Sequence, residues 1–280
     1  MVMDEREEGR RPVRSDGPDL GQNALNDLAA GFSRRWLWGT LGWNDIRQRY
    51  SGSVLGSFWI TASTGLLVAC LTLIFAAPLG STPALYAPFV AVGLVLWHVI
   101  QLSLNEAAGV FVVTGDTIRH LPIPLSAQVF RLVWRNAIVL AHNSVLIPIV
   151  FVLCRVEMHA TAWLAVPGLL LLLLNIAATT MLLGLLGARF RDVGQIVGNL
   201  TQLLFFATPI FWLPSILGAD RAWAVALNPV FAFIDIVRAP LIGTWPAPWS
   251  WPLAASVTAI TVAAALGAFV RFRHRLAYWV

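Results

Sequence analysis

Charged residues are nearly absent from most of this chain. Of its 33 charged side chains, sixteen lie in residues 1–50, and the remaining 230 positions share seventeen. About a quarter of the residues in a soluble globular domain are charged, whereas the fraction here is 12% overall. A surface with so little charge is poorly matched to water, and residues 51–280 are therefore predicted to lie in lipid.

The basic residues restrict the chemistry, because all nineteen are arginines and lysine is absent. A Walker A phosphate loop needs its lysine to reach the phosphates of ATP, and Schiff-base catalysis needs a lysine as well. We therefore expect any ATP hydrolysis to occur on another chain. The net charge of +5 does not indicate a nucleic-acid partner, since arginines that flank membrane spans produce the same excess.

The cysteines and the N-terminal residues suggest neither a metal site nor a cleaved leader. Cys70 and Cys154 stand in or beside apolar runs without a Cys or His cluster, which favours two free thiols. Residues 1–32 are charged, contain several Gly and Pro, and lack the apolar core of a signal peptide. We predict that they form a disordered cytoplasmic tail.

The apolar stretches predict an all-α membrane protein whose residues 51–280 form a six-helix transmembrane domain. A helix needs about 20 apolar residues to cross the hydrocarbon core. Stretches close to this length cover residues 54–76, 84–105, 132–154, 160–188, 193–217 and 251–270. Six spans place both termini on one side, which receives sixteen of the nineteen arginines. Basic residues favour the cytoplasmic side, so both termini are predicted to be cytoplasmic.

Residues 33–50 are too charged to cross the membrane and predict an amphipathic helix at its surface. At helical spacing, Trp36, Trp43 and Tyr50 share one sector, with charged residues opposite. Tryptophan rings favour the depth of the lipid headgroups, so this face is expected to touch lipid.

The region before the last span predicts re-entrant outer helices. Between residues 218 and 250, two apolar segments are too short to cross, and the first is interrupted at Asn228-Pro229. Segments of such length suit re-entrant structure, which is tolerated at membrane depth where protein or water covers it. An ordinary outer loop is the alternative.

The spans offer little catalytic chemistry. His98 and His142 are isolated, Glu106 lies at the end of the second span, and no acidic residue lies near the middle of a span. Ion-coupled carriers usually place an ionisable group there, so this pattern argues against one. The spans instead carry amides, hydroxyls and aromatic rings. These either join helices to one another or line a hydrated path, where rings stack on sugars; the sequence leaves both possibilities open.

Several motifs, taken in their order, resemble the permeases of type 2 ABC exporters. Residues 49–59, RYSGSVLGSFW, match the pattern R-Y-x-x-S-x-L-G-x-x-W at the start of the first span. Further matches are LPIP at 121–124, ARFRD at 188–192, TPIFW at 208–212 and NP at 228–229. The resemblance covers about residues 33–280, and it is closest to the branch that exports O-antigen, capsule or teichoic-acid polysaccharides.

The resemblance implies partners and a location. Such permeases form a dimer with a second copy around a central channel, and two nucleotide-binding ATPase subunits dock beneath it. No cofactor is then expected in this chain, because ATP and Mg²⁺ belong to the ATPase subunits. The implied location is the bacterial inner membrane.

The resemblance also implies roles for individual residues. Coupling to the ATPase is expected at Asp116, Arg119 and His120 of the loop between the second and third spans, and at Asp45 of the surface helix. The cytoplasmic entrance is expected at Arg47, Arg49, Arg189, Arg191 and Asp192. The polar and aromatic side chains of the spans, and not the resemblance, place the expected translocation path at Trp59, Gln101, Asn143, Asn199, Phe205, Phe206 and Trp212. The outer gate is expected at Asn228, Pro229 and Arg238.

The sequence thus predicts the permease subunit of an ATP-driven exporter that moves a lipid-linked polysaccharide, and not an enzyme. One alternative is a type 2 permease for a small amphipathic drug or lipid, which would have a narrow dimer seam. Another is a membrane-embedded glycosyl- or acyltransferase, which would need clustered acid and base groups on one membrane face. The third is an ion-coupled carrier.

Overall fold

The computed structural model describes residues 20–51, 56, 58–115, 123–157 and 159–280, and no strand occurs among them. The predicted all-α class is confirmed. The helices are α1 Leu20–Ser33, α2 Arg35–Arg49, α3 Phe58–Phe75, α4 Pro83–Ala107, α5 Ser126–Asn143, α6 Leu146–Cys154, α7 Ala165–Arg189, α8 Val193–Ala207, α9 Gly218–Ala226, α10 Pro229–Leu241 and α11 Ser250–Trp279. Short 3₁₀ turns cover Ala160–Leu164 and Pro214–Leu217.

The described residues contain five to six candidate membrane spans. Five are long and apolar enough to cross: α3, α4, α5 with α6, the first 3₁₀ turn with α7, and α11. The helices α9 and α10 meet at an angle of 83° and amount to a sixth span only when taken together. This bend is typical of a broken span or a re-entrant loop, as predicted for this region.

The predicted fifth span, residues 193–217, is α-helical only as far as Ala207, and a 3₁₀ turn covers its last four residues. The 15 residues of α8 rise about 22 Å, which is less than the roughly 30 Å hydrocarbon core. Pro209 restricts Thr208 to extended backbone, and Thr208 has φ −100° and ψ 136°. The second part of this span therefore continues as irregular chain, in which Thr208 and Ile210 are fully buried.

The N-terminal segment differs from the prediction. Residues 20–32, which we expected to be disordered, belong to α1. Ala24 is buried and Leu28 partly buried in a hydrophobic core formed with α5, α7 and α11. These two residues are four apart and thus share one helix face. Packing against the membrane domain, which composition does not reveal, explains the helix; the rest of the predicted tail lies outside the described residues.

Two of the three tryptophans of the surface helix α2 face away from the bundle, whereas Trp38 packs on Trp134 of α5. Trp36 and Trp43 are 70% and 55% exposed, whereas Gly42 and Ile46 are buried. A Cβ on Gly42 would come within 3.0 Å of the Trp134 ring in α5, so this glycine permits close packing. The tryptophan face is left free for lipid headgroups, and the interfacial position of α2 stays a prediction.

The central helix of the bundle is α4, which contacts α3, α5, α6, α7, α8 and α10. Its residues Val90, Val92 and Val95 are almost completely buried in the main hydrophobic core. A second core lies where α4, α7 and α11 end and α5 begins. We call this the arginine-rich end, because its arginines include Arg49, Arg131, Arg135, Arg189 and Arg273.

Candidate functional site

A groove of about 320 Å³ opens between α3 and α8, with α4 as its floor. Its polar side chains include His98 and Gln101 of α4 and Gln202 of α8. Its aromatic side chains are Trp97 of α4 and Phe205 and Phe206 of α8. The groove thus combines hydrogen-bonding groups with flat apolar surfaces.

The aromatic rings of the groove form a packed cluster. The ring centroids of Trp97 and Phe205 are 5.6 Å apart, and those of Phe205 and Phe206 are 5.3 Å apart in an edge-to-face arrangement. Phe205 also stacks on Phe211 at 5.4 Å. Such pairs hold rings in defined orientations. Phe206 remains 60% exposed and presents part of its surface to a ligand in the groove.

Helical spacing explains why these residues face one another. His98 and Gln101 are three residues apart on α4, and Gln202, Phe205 and Phe206 lie three and four apart on α8, so each set covers one face. Amides donate and accept hydrogen bonds. A molecule with hydroxyl groups and apolar faces would match this lining.

Three of the predicted path residues, Gln101, Phe205 and Phe206, line the groove. Trp212 Nε1 donates a hydrogen bond to the Phe206 carbonyl at 3.1 Å. Asn199, three residues before Gln202, lies on the exposed surface of α8.

Two predicted path residues lie elsewhere. Trp59 is 63% exposed in the first turn of α3, and Asn143 is 1% exposed at the end of α5. Trp97 and His98 also line the groove, but we did not predict either as a path residue. Trp97 and His98 precede Gln101 at helical spacing on α4, and this spacing could have indicated that the three residues share one face.

A chain of alternating charges crosses the arginine-rich end. Asp45 of α2 binds Arg131 of α5 through two hydrogen bonds of 2.8 and 2.5 Å, and Arg135 lies 3.4 Å from the same carboxylate. Arg135 also donates to Glu106 of α4 at 2.5 Å, and Glu106 accepts from Arg49 of α2 at 2.5 Å. These five residues, which we call the charge network, link α2, α4 and α5.

The charge network borders an open cavity of about 760 Å³. With three arginines and two carboxylates, its formal charge is +1, which favours an anionic group inside the cavity. Tyr50 lies beside it. Burial raises the pKa of the Tyr50 hydroxyl above its ordinary value of 10.0, while Arg49 lowers it and Glu106 raises it.

The predicted entrance and coupling residues that the structure describes divide into three groups. Asp45 and Arg49 belong to the charge network. Arg189 lies 5.3 Å from the Trp279 ring at the end of α11. A further set is simply exposed: Arg47, Arg191 and Asp192. The predicted coupling residues Asp116, Arg119 and His120 lie outside the described residues.

Glu106, Arg131 and Arg135 complete the charge network, but we did not predict them as site residues. Their positions at the ends of the second and third spans were visible in the sequence. Their pairing with α2 was not, because it depends on how the helices pack.

Asn228, a predicted gate residue, joins two helix ends. Its Oδ1 caps α10 by accepting from the amides of Val230 and Phe231 at 3.0 and 3.1 Å. Its Nδ2 donates to the Ala207 carbonyl at 3.2 Å and to Thr208 Oγ1 at 3.0 Å, where α8 ends. Pro229 occupies the first position of α10, where its missing amide hydrogen costs nothing.

Arg238, also a predicted gate residue, supports the same irregular chain. Its Nη1 donates to the Pro209 carbonyl at 2.8 Å, and the Tyr86 hydroxyl donates to the Phe211 carbonyl. Unpaired carbonyls are costly at membrane depth, and these side chains supply partners to the broken fifth span. The structure therefore brings Asn228 and Arg238 to one segment.

Comparison with known proteins agrees with this architecture. The sequence profile of the family described as ABC-2 type transporter matches residues 37–242. The chain is 26% identical over 213 residues to the O-antigen export system permease protein RfbA of Myxococcus xanthus, covering 74% of this chain and 81% of that protein. It is 23% identical over 194 residues to the protein of the same name from Klebsiella pneumoniae, covering 68% of this chain and 74% of that protein.

Proposed function

Because the chain belongs to the ABC-2 type transporter family, as its motifs predicted, we propose that it is the permease of an exporter for a lipid-linked polysaccharide of the O-antigen kind. Membership makes it the membrane subunit of an ABC transporter, which works with an ABC ATPase and is not itself an enzyme. The polysaccharide, the stoichiometry, the inner membrane and the cytoplasmic termini are parts of the proposal.

The groove between α3 and α8 is the observation that carries the substrate assignment. Rings that present an apolar face beside amide side chains suit a sugar, which has apolar faces and a rim of hydroxyls. Phe205 and Phe206 supply partly exposed rings, and Gln101 and Gln202 supply amides. Both relatives are named as O-antigen export permeases, which supports the same substrate class.

A second copy of the chain completes the path. Apolar side chains point outward from α3 and α8, among them Leu66 and Leu73 on α3 and Leu200 and Leu203 on α8, each more than half exposed. Lipid can cover these apolar faces but leaves the groove open. A second copy related by twofold symmetry covers the same faces and encloses the two grooves in one channel, because a cyclic dimer brings the same surface of each copy together.

The arginine-rich end is the proposed cytoplasmic entrance and the side on which two ATPase subunits dock. ATP and Mg²⁺ bind on those subunits. The charge network joins α2 to α4 and α5. A displacement of the surface helix α2 by the ATPase subunits is therefore transmitted to α4, which forms the floor of the groove. The net positive cavity beside it favours the phosphate groups of a lipid carrier.

Gating is proposed at the broken fifth span on the far side of the groove. Asn228 and Arg238 hold residues 207–209 against α10. A shift of α10 relative to α8 must break or move these bonds together. ATP binding and hydrolysis supply the free-energy difference between the closed and open arrangements.

A gene deletion tests the proposal in the host itself. Without this chain, cell-surface glycan should be lost and lipid-linked glycan should accumulate in the inner membrane. Surface glycan is measured on intact cells by periodate oxidation and a membrane-impermeant hydrazide dye, and the intermediate is measured in extracted lipids. A plasmid copy of the chain should restore both quantities.

Each alternative predicts a different result, either in the deletion host or in a companion assay. Unchanged surface glycan together with reduced efflux of an amphipathic dye would indicate that the substrate is a small molecule and not a polysaccharide. Export that stops when an ionophore collapses the proton gradient while ATP stays high would indicate an ion-coupled carrier. Sugar or acyl transfer by the purified chain alone would indicate a transferase.

A further inference from the structure

The first turn of α5 is held by a carboxylate from the N-terminal helix α1. Asp27 Oδ1 accepts hydrogen bonds from the backbone amide of Ser126 at 3.0 Å and from its hydroxyl at 2.8 Å. Asp27 Oδ2 accepts from the amide of Leu125 at 3.2 Å. The first amides of a helix lack partners within it. Asp27 therefore acts as an N-terminal cap for α5, supplied by a residue 99 positions away.

The same carboxylate binds α11. Arg273 donates to Asp27 Oδ2 through Nη2 at 3.1 Å and through Nε at 3.3 Å. The Asp27 side chain is 3% exposed and that of Arg273 is 34% exposed. A buried carboxylate is costly unless it is both paired and hydrogen-bonded, and Asp27 meets both conditions. One buried group thus joins α1, α5 and α11.

Close backbone contacts reinforce this junction. Gly31, one turn after Asp27, packs so near to Ser126 that a Cβ at Gly31 would collide with the Ser126 hydroxyl. On the other side of residues 116–122, a Cβ on Gly115 would come within 3.3 Å of Val280. The described residues on the two sides of 116–122 therefore approach α1 and Val280, the residue directly after α11.

We propose that Asp27 is a positioning residue that makes α1 a brace between the start of α5 and the end of α11. Force applied near the connection from α4 to α5 then displaces α5 and α11 as one body. The inference rests on the proposed function for its consequence, which is efficient coupling of ATP hydrolysis to export. The existence of the brace can be tested by a structural measurement that does not require transport activity.

Neither side chain of the Asp27–Arg273 pair lies within residues 37–242, which match the family profile. The family match therefore assigns no role to the pair. The location of the pair at the arginine-rich end, where the ATPase is proposed to dock, relates it to coupling. Because the Asp27 carboxylate is buried, the pair differs from ion pairs between exposed side chains, which contribute little to stability.

Hydrogen–deuterium exchange of the full-length chain in lipid nanodiscs tests the brace. Asp27→Ala should accelerate amide exchange in residues 123–130 about 5-fold, because a lost cap costs about 1 kcal/mol. Arg273→Gln should accelerate exchange in residues 271–280 and have a smaller effect on 123–130. Arg275→Gln, which changes an exposed arginine two residues away, is the matched control. Unchanged exchange at the start of α5 in Asp27→Ala would overturn the inference.

Coupling is measured in the complex with its ATPase subunits and in the deletion host. Asp27→Ala should lower surface glycan per assembled complex about 5- to 100-fold, while ATP hydrolysis changes by less than about 2-fold, since coupling energies of 1–3 kcal/mol have effects of this size. Arg273→Lys, which keeps the positive charge, should retain most export.

The outcomes separate the brace from the proposed function. Export, hydrolysis and complex assembly that fall in parallel in Asp27→Ala would show a merely structural residue and would overturn the coupling role. A wild-type complex that hydrolyses ATP but exports no glycan would refute the proposed function. The exchange measurement would still decide whether the brace exists.

Discussion

Arg238 of α10 places its guanidinium carbon 3.8 Å from the ring centroid of Phe89 in α4. Its Nη1 also donates to the Pro209 carbonyl, and the whole residue is only 2% exposed. Cation–π attraction and charge-assisted hydrogen bonds strengthen where water is excluded. One side chain therefore joins α10, the central helix α4 and the irregular part of the fifth span.

Arg238→Ala should destabilise the purified chain by about 2–4 kcal/mol, because it removes packed side-chain atoms and leaves a buried carbonyl without its partner. Arg238→Lys should recover part of the loss, since lysine keeps the charge but not the planar group. Thermal unfolding in detergent measures the effect. Arg221→Ala on the exposed surface of α9 is the control, and equal melting temperatures for the two alanine variants would contradict this role.

Gly93→Ala should cost about 1–3 kcal/mol, because an added methyl group in a packed interface forces neighbours apart. A Cβ at Gly93 would lie 2.9 Å from the Ile210 carbonyl oxygen and 3.3 Å from Arg238 Nη1. Gly198→Ala on α8 is the matched control, since its Cβ would meet nothing within 4 Å. Thermal unfolding should separate the two variants, and a stable Gly93→Ala protein would disprove the close packing.

Asp45 and Arg131 should show a coupling energy of about 1 kcal/mol in a double-mutant cycle, the size found for contacting charges within one network. The cycle compares Asp45→Ala, Arg131→Ala and the double variant by thermal unfolding. Asp45→Ala combined with Arg47→Ala, an exposed arginine of the same helix, serves as the reference cycle and should be additive. Additivity in both cycles would mean that the charge network does not stabilise the attachment of α2.

Gln101→Ala should reduce export about 3- to 10-fold, because one hydrogen bond to a sugar contributes about 1 kcal/mol. Phe206→Ala should have a similar effect by removing a stacking surface. Both are measured as surface glycan at equal protein level in the deletion host. Gln22→Ala on the exposed face of α1 removes the same kind of amide elsewhere and should leave export unchanged. Wild-type export in both groove variants would exclude the groove from the path.

Leu203→Cys should be cross-linked between two copies in native membranes, because the outward face of α8 is proposed to meet a second copy. The variant is made in a background in which Cys70 and Cys154 are replaced by serine, and a short bis-maleimide is added. Val152→Cys on α6, 78% exposed, reports random collisions. Equal dimer yields from the two positions on a denaturing gel would contradict the proposed dimer surface.

Features that depend on local composition were predictable. Apolar length alone located five of the six predicted spans, because transfer of a helix into lipid is close to a sum over its own residues. It failed for residues 193–217, where the α-helix ends at Ala207. The arginine-only composition placed ATP hydrolysis on another chain. Motif order was sufficient to identify the family, which the match to residues 37–242 confirms.

The helix α1 shows where composition failed. The apolar residues of α1 are interspersed with Gly, Asn, Gln and Asp, and a helix of only 14 residues is marginal by itself in water. It becomes stable by packing on α5 and α11, through a core and through the buried Asp27. The end of α8 at Ala207 is a related case, because side chains from other helices satisfy the chain that follows it.

The sequence by itself determined that this chain is an arginine-rich, helical membrane permease without its own ATPase, since those properties are sums over neighbouring residues. Only the tertiary structure decided that Gln101 faces Phe205 in a groove, and that Asp45 pairs with Arg131 across 86 positions. Contacts at such separation depend on how helices pack, and the spacing of residues along one helix does not contain that information.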